Sequence, residues 1–239
     1  MSGSLTGNIP GDIPGDIRDV AAAQIERLAI VVAGLSDADL VAPTRCAGWL
    51  AAHLLVHIRL GFAEHALSFA EPAGPDEAAD RDFVSYWRDW PASASAATYD
   101  QVRFYWATGS AYATADGARR HVADTARQAA AVTRRAPSGR FRLQGHVMTA
   151  EDILAMWTVE WVVHQLDLTA YLPSSWPAPI EEALGLTVLT LDRLTGLTTA
   201  RPSGWDDSAY VLKATGRVAL SADERVFLGE RAAGFPAFG

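Results

Sequence analysis

Several features that assign proteins to a particular class are scarce or missing in this sequence of 239 residues. Cys46 is the only cysteine, so no internal disulfide can form. Lys and Arg number 20 against 28 Asp and Glu, and the formal net charge is -8. Proteins that bind nucleic acid carry clustered basic residues, whereas the modest basic runs here are Arg119–Arg120 and Arg134–Arg135. We therefore expect no nucleic-acid partner.

Long hydrophobic segments are also missing. Charged residues interrupt the apolar runs, which fall short of the ~18 to 20 residues that a membrane span needs. The N-terminal stretch MSGSLTGNIPGDIPGDIRDV lacks the basic start and apolar run of a signal peptide. These absences predict a cytoplasmic protein without a membrane partner. The composition, 49% apolar and 20% charged, is typical of a globular chain with a sizeable core.

Helical spacing of apolar residues dominates the chain, between breaks that are rich in proline and glycine. The sequence contains no strand-rich block, and only a short extended piece is expected at 141–143. The fold class predicted is all-α, a four-helix bundle with a short helical C-terminal appendage. Long helices are predicted over about 16–35, 49–69, 99–135 and 149–171, and shorter ones over 83–90, 180–194 and two segments after residue 206.

The predicted organisation has three parts. Residues 1–14 are expected to be a disordered tail, because Gly, Pro and Asp disfavour regular structure. Residues 15–175 are expected to form the bundle, and residues 176–239 the helical appendage packed on it. Helix ends are predicted from an N-cap at Thr149, a stop at Gly196 and a capping box that begins at Ser221.

The stretch EWVVHQLDLTAYL, residues 160–172, places polar groups inside an apolar helical segment. Residues four apart lie on the same side of a helix, so Glu160 and His164 project together, and Asp167 lies one turn further on. A buried carboxylate and a buried imidazole each need a partner. A divalent metal would satisfy both, whereas a plain hydrogen-bonded Glu–His pair is the alternative.

A third metal ligand would have to come from another helix, and the second helix offers three histidines. A helical wheel at ~100° per residue centres the apolar stripe near Leu54 and Ile58. His65 lies inside this stripe, His57 lies at its edge and His53 falls outside it. The periodicity therefore disfavours His53 and leaves His57 and His65 as alternatives.

Two separated motifs resemble a known family. LSDADLVAPTRCAGWLAAHLLVHI, followed about a hundred residues later by EWVVHQLDL, is similar to the mycothiol-dependent maleylpyruvate isomerase N-terminal family of the DinB-like superfamily of four-helix metalloproteins. In that family the ninth residue of the helix opened by Gly-Trp is a ligand histidine, which corresponds here to His57. The resemblance spans roughly residues 20–172 and implies a zinc-like ion held by His57, Glu160 and His164, with Asp167 supporting a ligand.

The same resemblance implies a function. A low-molecular-weight thiol such as mycothiol would be activated at the metal and would add to an electrophilic small molecule, in an S-transfer or a cis–trans isomerisation. The alternatives are a metal-hydroxide hydrolase, a non-catalytic protein that binds a small ligand and a structural relic of a metal site. The expected assembly is a monomer or a homodimer.

The sequence departs from the family pattern at two places near the predicted site. Residues 50–53 are LAAH where family members often carry Thr-Val-Arg-Asp, and Trp157 stands where many carry Arg. Both changes bear on the substrate and on the thiol. Cys46 precedes the second helix with no base identifiable beside it, so we interpret it as a small packing residue. The aromatic residues are expected in the core or in a ligand pocket.

Overall fold

The helical spacing of the sequence appears in a computed structural model as helices around one apolar core. The structure describes residues 13, 16–88, 99–173, 175–197 and 200–238, and of Gln101 the backbone alone. The helices are α1 (Ile17–Gly34), α2 (Asp37–Leu40), α3 (Ala51–Leu67), α4 (Ser85–Arg88), α5 (Tyr99–Ser110), α6 (Ala115–Arg134), α7 (Ala150–Thr169), α8 (Glu181–Thr195), α9 (Asp207–Ala214) and α10 (Ala222–Leu228), followed by a 3-10 helix at Gly229–Gly234.

Four helices form the bundle. Helix α1 contacts α6 and α7, and α3 also contacts α6 and α7, so the four surround a shared interior. Helix α7 is buried on nearly every face, because α8 and α9 cover the side that α1 and α3 leave open. A helix covered all round is apolar on most of its faces, and the few polar side chains that α7 buries all have hydrogen-bond partners. The predicted all-α, DinB-like bundle with C-terminal helices is confirmed.

A small β-hairpin precedes α7. Strand β1 (Arg140–Leu143) pairs antiparallel with β2 (His146–Thr149), with Phe141 opposite Met148. The extended piece predicted from the sequence is therefore one strand of this pair. Thr149 ends β2 and also caps α7, because its side chain accepts a hydrogen bond from the Asp152 backbone N–H.

The prediction of one long helix over 99–135 is wrong. Helix α5 ends at Ser110, and α6 begins at Ala115 after a connection at 111–114. The Thr114 hydroxyl accepts a hydrogen bond from the Gly117 backbone N–H at 3.0 Å, which provides the cap that a new helix needs. The break lies between Gly109 and Gly117, two glycines that weaken the helical pattern.

Most predicted helix ends are confirmed. Gly196 ends α8 in the left-handed conformation, with a φ of 69°. Ser221 and Glu224 form the capping box of α10. The predicted disordered tail, residues 1–14, lies outside the described residues except for Ile13, and the division at residue 175 stays a prediction. No helix among the described residues is long and apolar enough to cross a membrane.

Candidate metal centre

Helices α3 and α7 approach closely at Gly61. A Cβ atom at this position would lie 2.7 Å from the Trp161 ring and 3.6 Å from the Trp157 ring. The two indoles stack with their centroids 5.2 Å apart and their planes at 7°. The absence of a side chain at Gly61 therefore lets this aromatic pair fill the interface, and α3 comes near enough for His57 to reach α7.

The structure brings His57, Glu160 and His164 together. His57 Nε2 lies 2.9 Å from His164 Nε2 and 3.1 Å from Glu160 Oε1, and His164 Nε2 lies 3.0 Å from the same oxygen. The His164 side chain is 8% exposed, against 25% for His57 and 20% for Glu160. The three atoms thus form a nearly equilateral triangle that is reached from one side.

The hydrogen bond between His164 and Asp167 indicates what this triangle fits. Its Nδ1 lies 3.1 Å from the Asp167 carboxylate and donates a hydrogen bond to it, so Nε2 of the neutral ring presents a lone pair. In that neutral form the lone pair faces the Glu160 oxygen and His57 Nε2, and atoms this electron-rich and this close need a cation among them, either a proton or a metal ion. Ligand atoms ~2.0 to 2.2 Å from a tetrahedral zinc ion lie about 3.3 to 3.6 Å apart, slightly more than the 2.9 to 3.1 Å here, so a small outward movement of the side chains would admit the ion. The side chains therefore fit a small divalent ion.

A proton competes for the same place. Burial disfavours a charged His164, but the Glu160 carboxylate and the bond to Asp167 raise the pKa of His164 well above its usual range. Burial also disfavours a charged Glu160, and the charge and hydrogen bond of His164 still hold its pKa well below the ordinary value. Burial lowers the pKa of His57. Without metal the proton resides on His164, so a metal ion has to displace it and binds more weakly as the pH falls.

Asp167 connects this cluster to the C-terminal part of the chain. Its carboxylate is fully buried and accepts hydrogen bonds from Arg217 Nε at 3.3 Å and Nη2 at 3.4 Å. Arg217 also donates to the Thr215 carbonyl at 2.9 Å, which fixes the guanidinium. Burial acts against the carboxylate, but the Arg217 charge and the His164 hydrogen bond keep the pKa of Asp167 below its usual value. Asp167 therefore stays ionised and holds the His164 ring.

Cys46 lies beside the same carboxylate. Its Sγ is 3.4 Å from Asp167 Oδ2 and 4.0 Å from His164 Nδ1, so Cys46, His164 and Asp167 form a second group of potential metal ligands. Burial and the Asp167 charge raise the pKa of the Cys46 thiol, which keeps it protonated. The prediction that no base lies beside Cys46 is wrong, because the Asp167 carboxylate lies next to the sulfur.

The other two candidate histidines have structural contacts. His53 Nδ1 accepts a hydrogen bond from the Leu50 backbone N–H at 3.1 Å and so caps the start of α3. His65 is fully buried, with Trp161 Nε1 donating to its Nδ1 at 3.3 Å and with Thr133 Oγ1 at 2.8 Å from its Nε2. Burial lowers the pKa of His65 to about 3, so the ring is neutral. Neither histidine belongs to a described group of potential metal ligands.

A cleft of about 540 Å³ opens on the cluster, within the range of ~300 to 1,000 Å³ that is usual for ligand pockets. Phe238 stacks on Trp87 with ring centroids 4.5 Å apart, and Arg217 lies in the same C-terminal wall. Trp157 lines the cleft and donates through its indole to Ser68 Oγ at 2.9 Å. The aromatic lining consists of Trp49, Tyr86, Trp87, Tyr105, Trp157 and Phe238.

Sequence reasoning missed two residues in contact with the cluster. The Tyr105 hydroxyl lies 3.2 Å from His57 Nδ1, and Arg217 reaches Asp167 across 50 positions of sequence. Tyr105 belongs to a run of aromatic residues that could lie either in a pocket or in the core. The aromatic composition of this run was therefore only a weak signal of a role at the site. No pattern around Arg217 indicates a contact with α7, because that contact depends on how the C-terminal helices pack.

A bundle in which neighbouring helices bring two imidazoles and one carboxylate to the wall of a cleft defines a DinB-like helical protein with a candidate metal centre. The chain belongs to the mycothiol maleylpyruvate isomerase N-terminal domain family, whose sequence model matches residues 21–169, more than half of the chain. No curated protein and no solved structure matches it. The match includes all three members of the triangle and ends before the segment that carries Arg217.

Proposed function

We propose that this protein is a metal-dependent enzyme that activates a low-molecular-weight thiol for addition to an electrophilic small molecule. His57, Glu160 and His164 would hold the ion, with zinc as the expected metal. The observation that carries the proposal is the convergence of three electron-rich atoms, 2.9 to 3.1 Å apart, at a cleft large enough for a ligand. Family membership supports mycothiol as the thiol.

A divalent ion in this place supplies positive charge, which lowers the pKa of a thiol and favours the thiolate. The protein supplies orientation. Asp167 keeps the lone pair of His164 directed into the triangle, and the stacked rings of Phe238 and Trp87 give the cleft an apolar wall. Three protein ligands leave a further coordination position, as in catalytic rather than closed structural zinc sites.

Two reaction types use such a thiolate. In S-transfer, sulfur bonds to the electrophilic carbon, the bond to the leaving group breaks and the leaving group departs with the electron pair. In cis–trans isomerisation, the thiolate adds to one carbon of an activated double bond, the adduct rotates about the resulting single bond, and the thiolate leaves again. Thiol is consumed in the first case and regenerated in the second. The aromatic cleft favours an electrophile with a flat, apolar part.

Cobalt(II) substitution tests the proposal. Addition of mycothiol to the cobalt protein should produce a strong sulfur-to-metal charge-transfer absorption. When an electrophile that carries a leaving group is then added, the free thiol should be consumed. Cys46 lies close enough to His164 to confuse the signal, so Cys46→Ser serves as the matched protein. A cobalt protein whose spectrum changes with pH but not with thiol would instead favour water activation and a hydrolase.

A further inference from the structure

A hydroxyl group from α5 contacts the outer nitrogen of His57. Tyr105 Oη lies 3.2 Å from His57 Nδ1, and the two rings meet edge to face with centroids 5.6 Å apart. We infer that Tyr105 is a positioning residue that fixes the ring orientation and the tautomer of His57, and thereby sets the affinity for the metal. This inference rests on the proposed metal centre.

The tautomer of His57 is set by what its inner nitrogen, Nε2, has to do. A neutral His57 can present a lone pair at Nε2 only if Nδ1 carries the proton, and a protonated Nδ1 needs an acceptor. The phenolic oxygen of Tyr105 is that acceptor. Metal-binding histidines commonly donate their other ring N–H to a neighbouring group, and loss of that partner typically costs 10- to 100-fold in metal affinity, as an order of magnitude.

The two histidines are held unequally. His164 donates to the Asp167 carboxylate, a charged acceptor that Arg217 fixes in turn. His57 donates to a neutral phenol at a slightly longer distance. Hydrogen bonds to charged acceptors are roughly twice as strong as neutral ones. His57 is therefore the less firmly oriented member, and the loss of its partner should fall near the lower end of the range.

Helix α5 holds Tyr105 through ring contacts rather than through burial. None of its described side chains is buried. The Tyr105 ring packs on Trp49 with centroids 4.4 Å apart, and Trp106 Nε1 donates to the Gly48 carbonyl at 3.0 Å. A Cβ at Gly109 would lie 3.1 Å from the His53 ring, which shows how closely α5 approaches α3. Removing the hydroxyl alone leaves all of these contacts in place.

Tyr105→Phe is therefore the informative variant, and the chain offers a matched control. Tyr112 Oη lies 2.9 Å from His121 Nδ1 in an exposed pair that does not line the cleft. Tyr112→Phe deletes the same atom from the same kind of pair. Zinc affinity of the three proteins is measured by competition with a chromogenic chelator, and the thermal midpoint of each metal-free protein is measured separately.

The expected result is a dissociation constant for zinc about tenfold higher in Tyr105→Phe, and one equal to wild type in Tyr112→Phe. The thermal midpoints of the metal-free proteins should agree, because the hydroxyl acts on the metal site and not on the fold. A hydroxyl with a purely structural role would instead lower the midpoint and leave the zinc affinity unchanged. Wild-type affinity in Tyr105→Phe, or a falling midpoint without a change in affinity, would overturn this inference and leave the metal centre standing. A wild-type protein that takes up no zinc would overturn both.

Discussion

Replacement of Asp167 by Asn tests the two roles of this carboxylate, which orients the His164 ring and pairs with the charge of Arg217. The side chain is fully buried, receives the His164 Nδ1–H at 3.1 Å and pairs with the guanidinium of Arg217. Asn keeps the shape and removes the charge. We expect a loss of metal affinity, because the His164 ring is less firmly oriented, and a separate loss of stability, because Arg217 keeps a buried charge without its counter-ion.

The sizes of the two effects follow from the geometry. Loss of a charged partner behind a ligand histidine costs roughly 10- to 100-fold in affinity, which is about 1.4 to 2.7 kcal/mol. Removing one member of a buried ion pair costs about 3 to 5 kcal/mol. Arg217 keeps 15% of its side-chain surface, so water relieves part of this cost, and we expect about 3 kcal/mol in the metal-free protein.

The assay combines chelator competition for zinc with urea unfolding in the presence of EDTA. In Asp167→Asn with Arg217→Gln, no unpaired charge remains, so much of the stability should return while zinc affinity stays low. Asp207→Asn is the matched control, because Asp207 pairs with Arg201 at 2.7 Å but is 51% exposed. Its loss should cost less than about 1 kcal/mol and leave zinc binding unchanged.

Zinc affinity within twofold of wild type in Asp167→Asn would refute the argument that the carboxylate orients His164. Unchanged stability would refute the argument that the pair with Arg217 stabilises the fold. A double variant that regains zinc affinity would show that the unpaired guanidinium, rather than the lost orientation, weakens the metal.

Three further predictions concern the rest of the fold. Gly61→Ala should lower the free energy of unfolding by about 1 to 3 kcal/mol, because its Cβ would meet the Trp161 ring at 2.7 Å. Its control is Gly185→Ala in α8, where no atom lies within 4 Å of the added Cβ. This variant should raise the free energy of unfolding by up to about 1 kcal/mol in the same urea assay. The pKa of His65 is about 3 in the folded protein and ~6.5 in the unfolded chain, so the unfolded state takes up the proton first and stability falls as the pH drops below about 6.5. Between pH 7 and pH 5 this loss is about 2 kcal/mol, and urea unfolding of His65→Gln should show a correspondingly shallower pH dependence. Deletion of residues 1–12 should leave the thermal midpoint nearly unchanged, because their composition offers little apolar area to offset the entropy of ordering; a drop of many degrees would contradict this.

Local signals in the sequence are sufficient for most of the helices and most of their ends. Thr149 and Ser221 cap their helices through side chains three residues from their partners, so the pattern of a few residues contains the whole interaction. The spacing of Glu160 and His164 likewise puts both side chains on one side of α7. Thr114 uses the same kind of cap, and it was overlooked because the helical periodicity continues on both sides of it.

Contacts between segments that are distant in sequence could not be predicted from local patterns. Periodicity alone left His57 and His65 as alternatives, and the family motif, counted from Trp49, selected His57. The approach of α3 to α7 depends on the space that Gly61 leaves for two stacked indoles. The contacts of Cys46 and Arg217 with the buried carboxylate depend on the loop before α3 and on the C-terminal helices, and no local pattern encodes either position.

The metal content of four purified proteins shows whether His57 helps to hold an ion, as the proposed metal centre requires. Wild type, His53→Ala, His57→Ala and His65→Ala are purified without chelators, and bound zinc is measured by elemental analysis. We expect one ion per chain in wild type and in the His53 and His65 variants, with most of the metal lost from His57→Ala, because only water can replace the missing ligand. Equal metal retention in all four proteins, or no metal in wild type, would contradict it.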